Sequence, residues 1–187
     1  MADNTKAQEP LEIERKFLIP YPNIAELKAL PGCAALEIVQ TYLCGGAARV
    51  RKSVSANGCT YTHTEKRKIS ELTRIEIERE ISEEEYLKYL KATDPAFRPI
   101  EKTRLRIPYG GHIFEIDIFP FWRDKAIAEV ELKSEEEEIA FPPWLDITAE
   151  VTLKQFFVVV QVLAFQWLQT KLRVFVQLVA QIISVQN

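Results

Sequence analysis

The chain has 187 residues, with 27% charged and 47% hydrophobic positions. That is the size of one domain able to bury its own core. Six glycines and ten prolines exclude collagen-like or low-complexity character, and a net charge of −3 argues against a nucleic-acid partner. The charge is uneven: residues 1–150 hold every acidic residue and 21 basic ones, for −6, whereas the last 37 residues carry only Lys154, Lys171 and Arg173.

The polar stretch Met1–Pro10 lacks the apolar run of a secretory signal. Along the body, alternation with period two predominates. Residues two apart on a strand share a face. In LEIERKFLI, Glu12, Glu14 and Lys16 therefore lie opposite Leu11, Ile13 and Phe17. Pro22–Leu30 has helical spacing and stops at Pro31-Gly32. ARVRK puts Arg49 and Arg51 opposite Val50, and THTEKRK adds Lys66 and Lys68. In TRIEIEREI, Arg74, Glu76, Glu78 and Glu80 oppose Ile75, Ile77 and Ile81. Ser82 with Glu85 forms a capping box that opens a helix to about Lys91, its apolar side formed by Tyr86, Leu87, Tyr89 and Leu90.

Beyond that helix, Lys102, Arg104 and Arg106 oppose Leu105 and Ile107. Glu115 and Asp117 oppose Ile116 and Ile118, and Glu129, Glu131 and Lys133 oppose Val130 and Leu132. No internal repeat or long linker interrupts the body, and Pro142-Pro143 marks a turn near its end. Cys33, Cys44 and Cys59 have no metal-type spacing and read as reduced thiols of a cytoplasmic protein. Neither His63 nor His112 stands in a setting that suggests nucleophilic catalysis.

One such strand is an ordinary half-solvated strand. Seven with almost purely ionic faces, segregated by sign, are different. Acidic pairs fall at 12/14, 76/78 and 129/131, and basic pairs at 49/51, 66/68 and 102/104. If the strands close with these faces inward, the lumen holds charges of both signs that need partners. A polyphosphate with a divalent metal answers both. Guanidinium and ammonium groups bind phosphate oxygens, and carboxylates hold Mg²⁺ together with phosphates and waters. Phosphoryl transfer needs mainly positioning and charge neutralisation. No Walker-type loop is present, so side chains would form the phosphate site.

Glu12-x-Glu14-x-Lys16 resembles the E-x-E-x-K signature of the CYTH superfamily, the triphosphate tunnel metalloenzymes. In order after it come Gln40-x-Tyr42-Leu43, Arg49-x-Arg51, Thr64-x-Lys66, Arg74-x-Glu76-x-Glu78, Lys102-x-Arg104, Glu115-Ile116-Asp117, Ala128-Glu129-Val130-Glu131-Leu132 and Glu150-Val151-Thr152. The stretch IDIFPFWRDKAIAEVEL is similar to bacterial members, and the resemblance covers residues 11–152.

The resemblance implies a mainly β (α+β) single domain: an eight-stranded antiparallel barrel forming a tunnel, with a few flanking helices. It implies Mg²⁺ or Mn²⁺ as cofactor and a small-molecule triphosphate as partner; the charge balance points away from nucleic acid, and a membrane partner is not expected of the body. By position, Glu12, Glu14, Glu129 and Glu131 would serve the metal. Glu12, Glu14, Glu76 and Glu78 would act catalytically on water. Lys16, Arg49, Arg51, Lys66, Lys102 and Arg104 would bind phosphate, with Asp117, Arg74 and Arg106 as lesser candidates. Inorganic triphosphate is the expected substrate; thiamine triphosphate hydrolysis, adenylyl cyclisation and a non-catalytic polyphosphate- or nucleotide-binding module are the alternatives.

The chain departs from the family after Thr152. Instead of a polar segment, it continues as a Val- and Gln-rich tail whose longest charge-free run, Gln155–Thr170, is 16 residues. That is shorter than the roughly 18 apolar residues of a membrane span. A helix over the barrel, a membrane-surface or partner-binding segment and an altered reading frame are all compatible with it.

Overall fold

A computed structural model describes residues 11–44, 48–69, 73–93 and 98–151. The expectations for residues 152–187 therefore lie outside the described residues. The described elements are β1 (Leu11–Pro20), α1 (Ile24–Lys28), β2 (Ala34–Tyr42), β3 (Ala48–Ser55), β4 (Gly58–Lys68), β5 (Thr73–Glu80), α2 (Glu83–Leu90), β6 (Ile100–Tyr109), β7 (His112–Ile118), β8 (Lys125–Leu132) and β9 (Ala149–Glu150).

Strand order is β5-β4-β3-β2-β6-β7-β8-β1-β9, antiparallel throughout, and pairing of β5 with β1 closes the first eight strands into a barrel. Leu11 faces Ile75 and Ile13 faces Thr73 at the seam. The short β9 adds to β1 beyond it, pairing Phe17 with Glu150. Gly110 and Gly111, both at positive φ, form the two-residue turn that returns β6 into β7 and pairs Tyr109 with His112.

The alternation resolves with the ionic face inward and the apolar face outward. The main core is thus a layer around the barrel wall. Phe17, Ile19, Leu105, Ile107, Phe114, Ile116, Ala128 and Val130 are buried there with Leu27 of α1 and Leu145. Partly buried Ile139, Trp144 and Ile147 complete the cover. Phe141 meets Phe17 edge-on at 5.2 Å, and Trp144 meets Phe114 at 6.2 Å. Backbone bonds from Thr148 to Leu18 and from Val151 to Lys16 tie the end of this segment to β1. Arg15 adds a two-pronged bond to Glu150 at 2.8 Å.

The second core joins Leu43, Val50, Ile81 and Tyr86. Its helix α2 starts at the expected capping box, with the Ser82 hydroxyl accepting from the Glu85 amide and the Glu85 carboxylate accepting from the Ser82 amide. Tyr86 turns inward as expected, but Leu87 is 52% exposed. The buried face of so short a helix is narrower than its apolar spacing suggests. Ile77 likewise stands half in solvent on the outer side of β5, because α2 packs over β3 and β4.

Phe114 is completely buried in the outer core. Its replacement by alanine is expected to cost about 3–5 kcal/mol of unfolding free energy, measurable by urea denaturation.

Candidate functional site

The strand register decides which charges meet, because directly opposed residues project to the same face. Lys16 opposes Glu129, Glu14 opposes Glu131, Arg104 opposes Asp117, Lys66 opposes Glu76, and Thr64 opposes Glu78. Each is an inward position. The register turns the alternating pattern into a lumen in which Lys16, Lys66 and Arg104 each face an acid on a neighbouring strand, whereas Arg49 and Arg51 of β3 face Gln40, Tyr42, Thr62 and Thr64.

On the β1–β8–β7–β6 wall the charges form a continuous network. Lys16 Nζ lies 2.8 Å from Glu14 and 2.6 Å from Glu129. Glu129 in turn accepts from Arg104 Nη2 at 2.7 Å. Arg104 clasps Asp117 with Nε and Nη2, both at 2.6 Å, and reaches Glu115 with Nη1. Lys102 also donates to Asp117. Asp117 is wholly buried, and Glu14, Lys16, Lys102, Arg104 and Glu129 are nearly so. Across the lumen, Arg49 donates to Gln40 and to Glu76, each at 3.1 Å, and Lys66 also pairs with Glu76. The Thr64 hydroxyl donates to Glu78 at 2.8 Å.

Electrostatics divide these groups. Burial alone would push Asp117 and Glu129 up, but their cations outweigh it: Arg104 and Lys102 for Asp117, Lys16 and Arg104 for Glu129. Both carboxyls are held below their ordinary values. Glu76 is held down in the same way by a hydrogen bond with Glu12 and by Lys66 and Arg49. Burial disfavours the Lys16 charge, yet Glu129 and Glu14 together raise its pKa. Lys102 differs. Burial and Arg104 push it down to about 8, against the pull of Asp117 and Glu129.

Two places remain unbalanced. Arg51 is pushed down to about 10 by burial and by the nearby charges of Arg49 and Arg104. Its recorded ion pair, to Glu78, is long at 3.9 Å, and its buried Nε makes no hydrogen bond, as is true of Arg49 Nε. The second place carries the opposite sign. Glu131 is raised by partial burial and by Glu115, Glu14 and Glu76. One side of the lumen thus has cationic charge to spare, and one end has carboxylate charge to spare.

Of the residues expected at the site, Glu14, Lys16, Lys102, Arg104 and Glu129 form the buried network, and Arg49, Arg51, Lys66 and Glu76 form the facing cluster. Glu12 joins through Glu76, while Glu78 and Glu131 stand at the exposed rim. Asp117, a lesser candidate, lies at the centre of the network. Arg106 is half exposed against Glu115, and the Arg74 side chain lies outside the described residues. Gln40, Thr64 and Glu115 also face the lumen as partners of Arg49, Glu78 and Arg104, roles the sequence reading did not assign them. Parity with ionic neighbours was the available signal for Thr64 and Glu115, and the Gln40-x-Tyr42-Leu43 motif for Gln40.

Hard carboxylate oxygens in excess suit a divalent ion such as Mg²⁺ or Mn²⁺. Among the described residues, no three acidic, histidine or cysteine side chains form a ready-made cage. Mg²⁺ needs none, since one or two carboxylates with phosphate oxygens and waters usually suffice.

No protein-family model matches the chain, and no curated protein matches it. Among solved structures, the inorganic triphosphatase NE1496 is similar at 29% identity over 77% of this chain and 88% of its own, with a TM-score of 0.44. HpAC1 from Hippeastrum, described as an adenylyl cyclase candidate with a dominant triphosphatase activity, is similar at 16% identity over 67% of this chain and 81% of its own, TM-score 0.44. A conserved protein from Pyrococcus furiosus gives 20% identity, 67% and 80% coverage and a TM-score of 0.48. The ordered motifs and the closed barrel that turns them inward stand together in this chain. It resembles the triphosphate tunnel metalloenzymes.

The tunnel's ion pairs set its response to acid. Asp117 and Glu129 titrate below their ordinary values of 3.8 and 4.5. Above those values their contribution to stability is whole, and as pH falls below them the unfolded chain takes up protons first. Thermal unfolding should therefore show stability falling away below about pH 4. Asp117→Asn, which strands Lys102 and takes the two-pronged partner from Arg104, should cost about 3–5 kcal/mol at neutral pH in urea denaturation.

Proposed function

We propose that the chain is a divalent-metal-dependent triphosphatase, hydrolysing the terminal phosphoanhydride of a linear triphosphate, with inorganic triphosphate the preferred substrate. The observation that carries this reading is the separation of unbalanced charge within one lumen. Arg51 lacks a close partner and Lys102 shares Asp117 with Arg104, which leaves cationic charge in surplus, and the surplus carboxylate lies at Glu131. A polyanion satisfies the first, and its counter-cation the second.

Lys16, Arg49, Arg51, Lys66, Lys102 and Arg104 grip the phosphate oxygens. Arg51 contributes most directly, since its Nε enters the complex without giving up a bond. Glu12, Glu14, Glu129 and Glu131 would hold Mg²⁺ or Mn²⁺, which supplies charge neutralisation at the phosphates. Glu129 and Glu14 reach that role through Lys16, whose ammonium they share until phosphate oxygens compete for it. Glu12 and Glu14 orient the attacking water in line with the terminal phosphorus. Glu76 and Glu78 fix that water's surroundings from the opposite wall. The wall itself excludes bulk water, so each of these charges acts in a low dielectric. No covalent nucleophile is required.

Three free cysteines and the polar triphosphate substrate fit a cytoplasmic setting. Among the described residues, no helix is long and apolar enough to cross a membrane.

Phosphate release from inorganic triphosphate, thiamine triphosphate and ATP, each with Mg²⁺, Mn²⁺ or chelator, tests the reading. Release is expected from inorganic triphosphate, faster than from the other two, and abolished by chelator. Glu14→Gln should remove metal-dependent turnover while the circular dichroism spectrum is retained; a normal rate in that variant overturns the role given to Glu14. Arg51→Met should raise KM for triphosphate by about tenfold or more, the equivalent of one charge-assisted hydrogen bond of roughly 1.5–3 kcal/mol. Tight triphosphate binding without release at any metal concentration would favour the non-catalytic binding module.

A further inference from the structure

The charged belt of the lumen ends abruptly, and on four neighbouring strands it ends in the same way. On β1 the inward position two residues past Lys16 is Leu18; on β8 the one before Glu129 is Ile127. On β6 the one before Lys102 is Ile100, and two residues past Asp117 of β7 comes Phe119. Register confirms the inward face for three of them. Ile127 opposes both Asp117 and Leu18, and Ile100 opposes Gln40, whose side chain bonds Arg49 within the lumen.

Because the strands are antiparallel, the C-terminal ends of β1 and β7 and the N-terminal ends of β8 and β6 lie at one end of the barrel. Ile127 is 1% exposed, Phe119 2% and Ile100 6%. All three are buried without belonging to either outer core. Phe119 is backed by the Phe121 ring at 5.3 Å. Next to them on β2, Tyr42 takes a hydrogen bond from Gln40. At the opposite end Glu131, Glu78, Glu80 and Arg106 are exposed.

An eight-stranded barrel has an interior that side chains can just fill or that holds one small ligand. Large apolar groups projecting inward from four adjacent strands narrow that interior at this end. Passing a phosphate through would also desolvate its charge against Leu18, Ile100, Phe119 and Ile127, four side chains that offer no donor to replace water.

We infer that the lumen is a one-mouthed pocket that takes linear polyphosphate by its end, with Leu18, Ile100, Phe119 and Ile127 as the floor that limits how many phosphate units enter. This rests on the triphosphate reading above and adds to it. Longer chains are admitted only by their terminal units, and the remainder stays outside the acidic rim. Chain length is thus read by pocket depth, and the middle of a polyphosphate never reaches Arg51 or Lys102.

Binding stoichiometry tests this without relying on turnover. The full chain, in chelator, is titrated by calorimetry with linear inorganic triphosphate and with long linear polyphosphates of several defined lengths. A pocket with a floor saturates at one protein per chain end, so two proteins bind each long polyphosphate whatever its length. Protein loading that rises in proportion to chain length overturns the one-mouthed pocket while leaving the triphosphate site standing. If neither triphosphate nor long polyphosphate binds, the triphosphate reading falls and this one falls with it.

Discussion

The salt-linked cluster of Lys16, Glu129, Arg104, Asp117 and Lys102 is the constraint on which the rest of the protein depends. Five ionised groups withdrawn from water would cost far more than a domain's net stability if any lacked a partner. They are tolerable because four adjacent strands hold them in mutual reach, with Asp117 accepting from both Lys102 and Arg104 and with Glu129 accepting from both Lys16 and Arg104. The geometry works only when β1, β8, β7 and β6 are in register. A slip of one residue would turn the charges into the outer core and the aromatic residues into the lumen.

That requirement explains the distribution of apolar material. A barrel whose interior is ionic cannot be stabilised from within, so its core is built on the outside. Helix α1 and the segment carrying Phe141, Trp144 and Leu145 cover one side, and α2 covers another. Both outer cores rest on the same strands whose opposite faces carry the charges. Outer packing fixes strand positions, and strand positions fix the ion pairs. Apolar residues do reach the inward face, as with Ile38 of β2 opposite Lys102 and with Leu18, Ile100, Phe119 and Ile127 at one end, the proposed floor of the ionic chamber.

Electrostatic balance separates structure from function within the lumen. Lys16, Glu129 and Arg104 are closely matched, consistent with a framework. Arg51 and Glu131 are not, and both stand where a ligand could correct the mismatch. The difference between Lys16 and Lys102 has the same origin. Lys16 has two carboxylates against its ammonium, whereas Lys102 shares Asp117 with Arg104 and feels Arg51 as well. A bound polyanion would relieve Lys102 and Arg51 more than Lys16, whose charge is already compensated.

Much of this was legible in the sequence. Alternation alone placed Glu12, Glu14, Lys16, Arg49, Arg51, Lys102, Arg104 and Glu129 on shared faces, because strand geometry makes parity a local property. The capping box at Ser82 was equally local and stands as expected. What parity could not provide was pairing. Which acid meets which base depends on register between strands far apart in the chain, as with Lys16 and Glu129 or Arg104 and Asp117. Hence Asp117 stood as a lesser candidate although it lies between Lys102 and Arg104, and Gln40 and Thr64 stood as motif positions with no role assigned. The exposure of Leu87 and Ile77 is of the same kind, since burial depends on what another segment covers. The sequence by itself determined two faces of opposite character on each strand and the segregation of charge by strand. Only the tertiary structure decided that the ionic face turns inward, which charges neutralise one another, which remain unbalanced, and where the chamber ends. These are consequences of barrel closure and register, which no local pattern encodes.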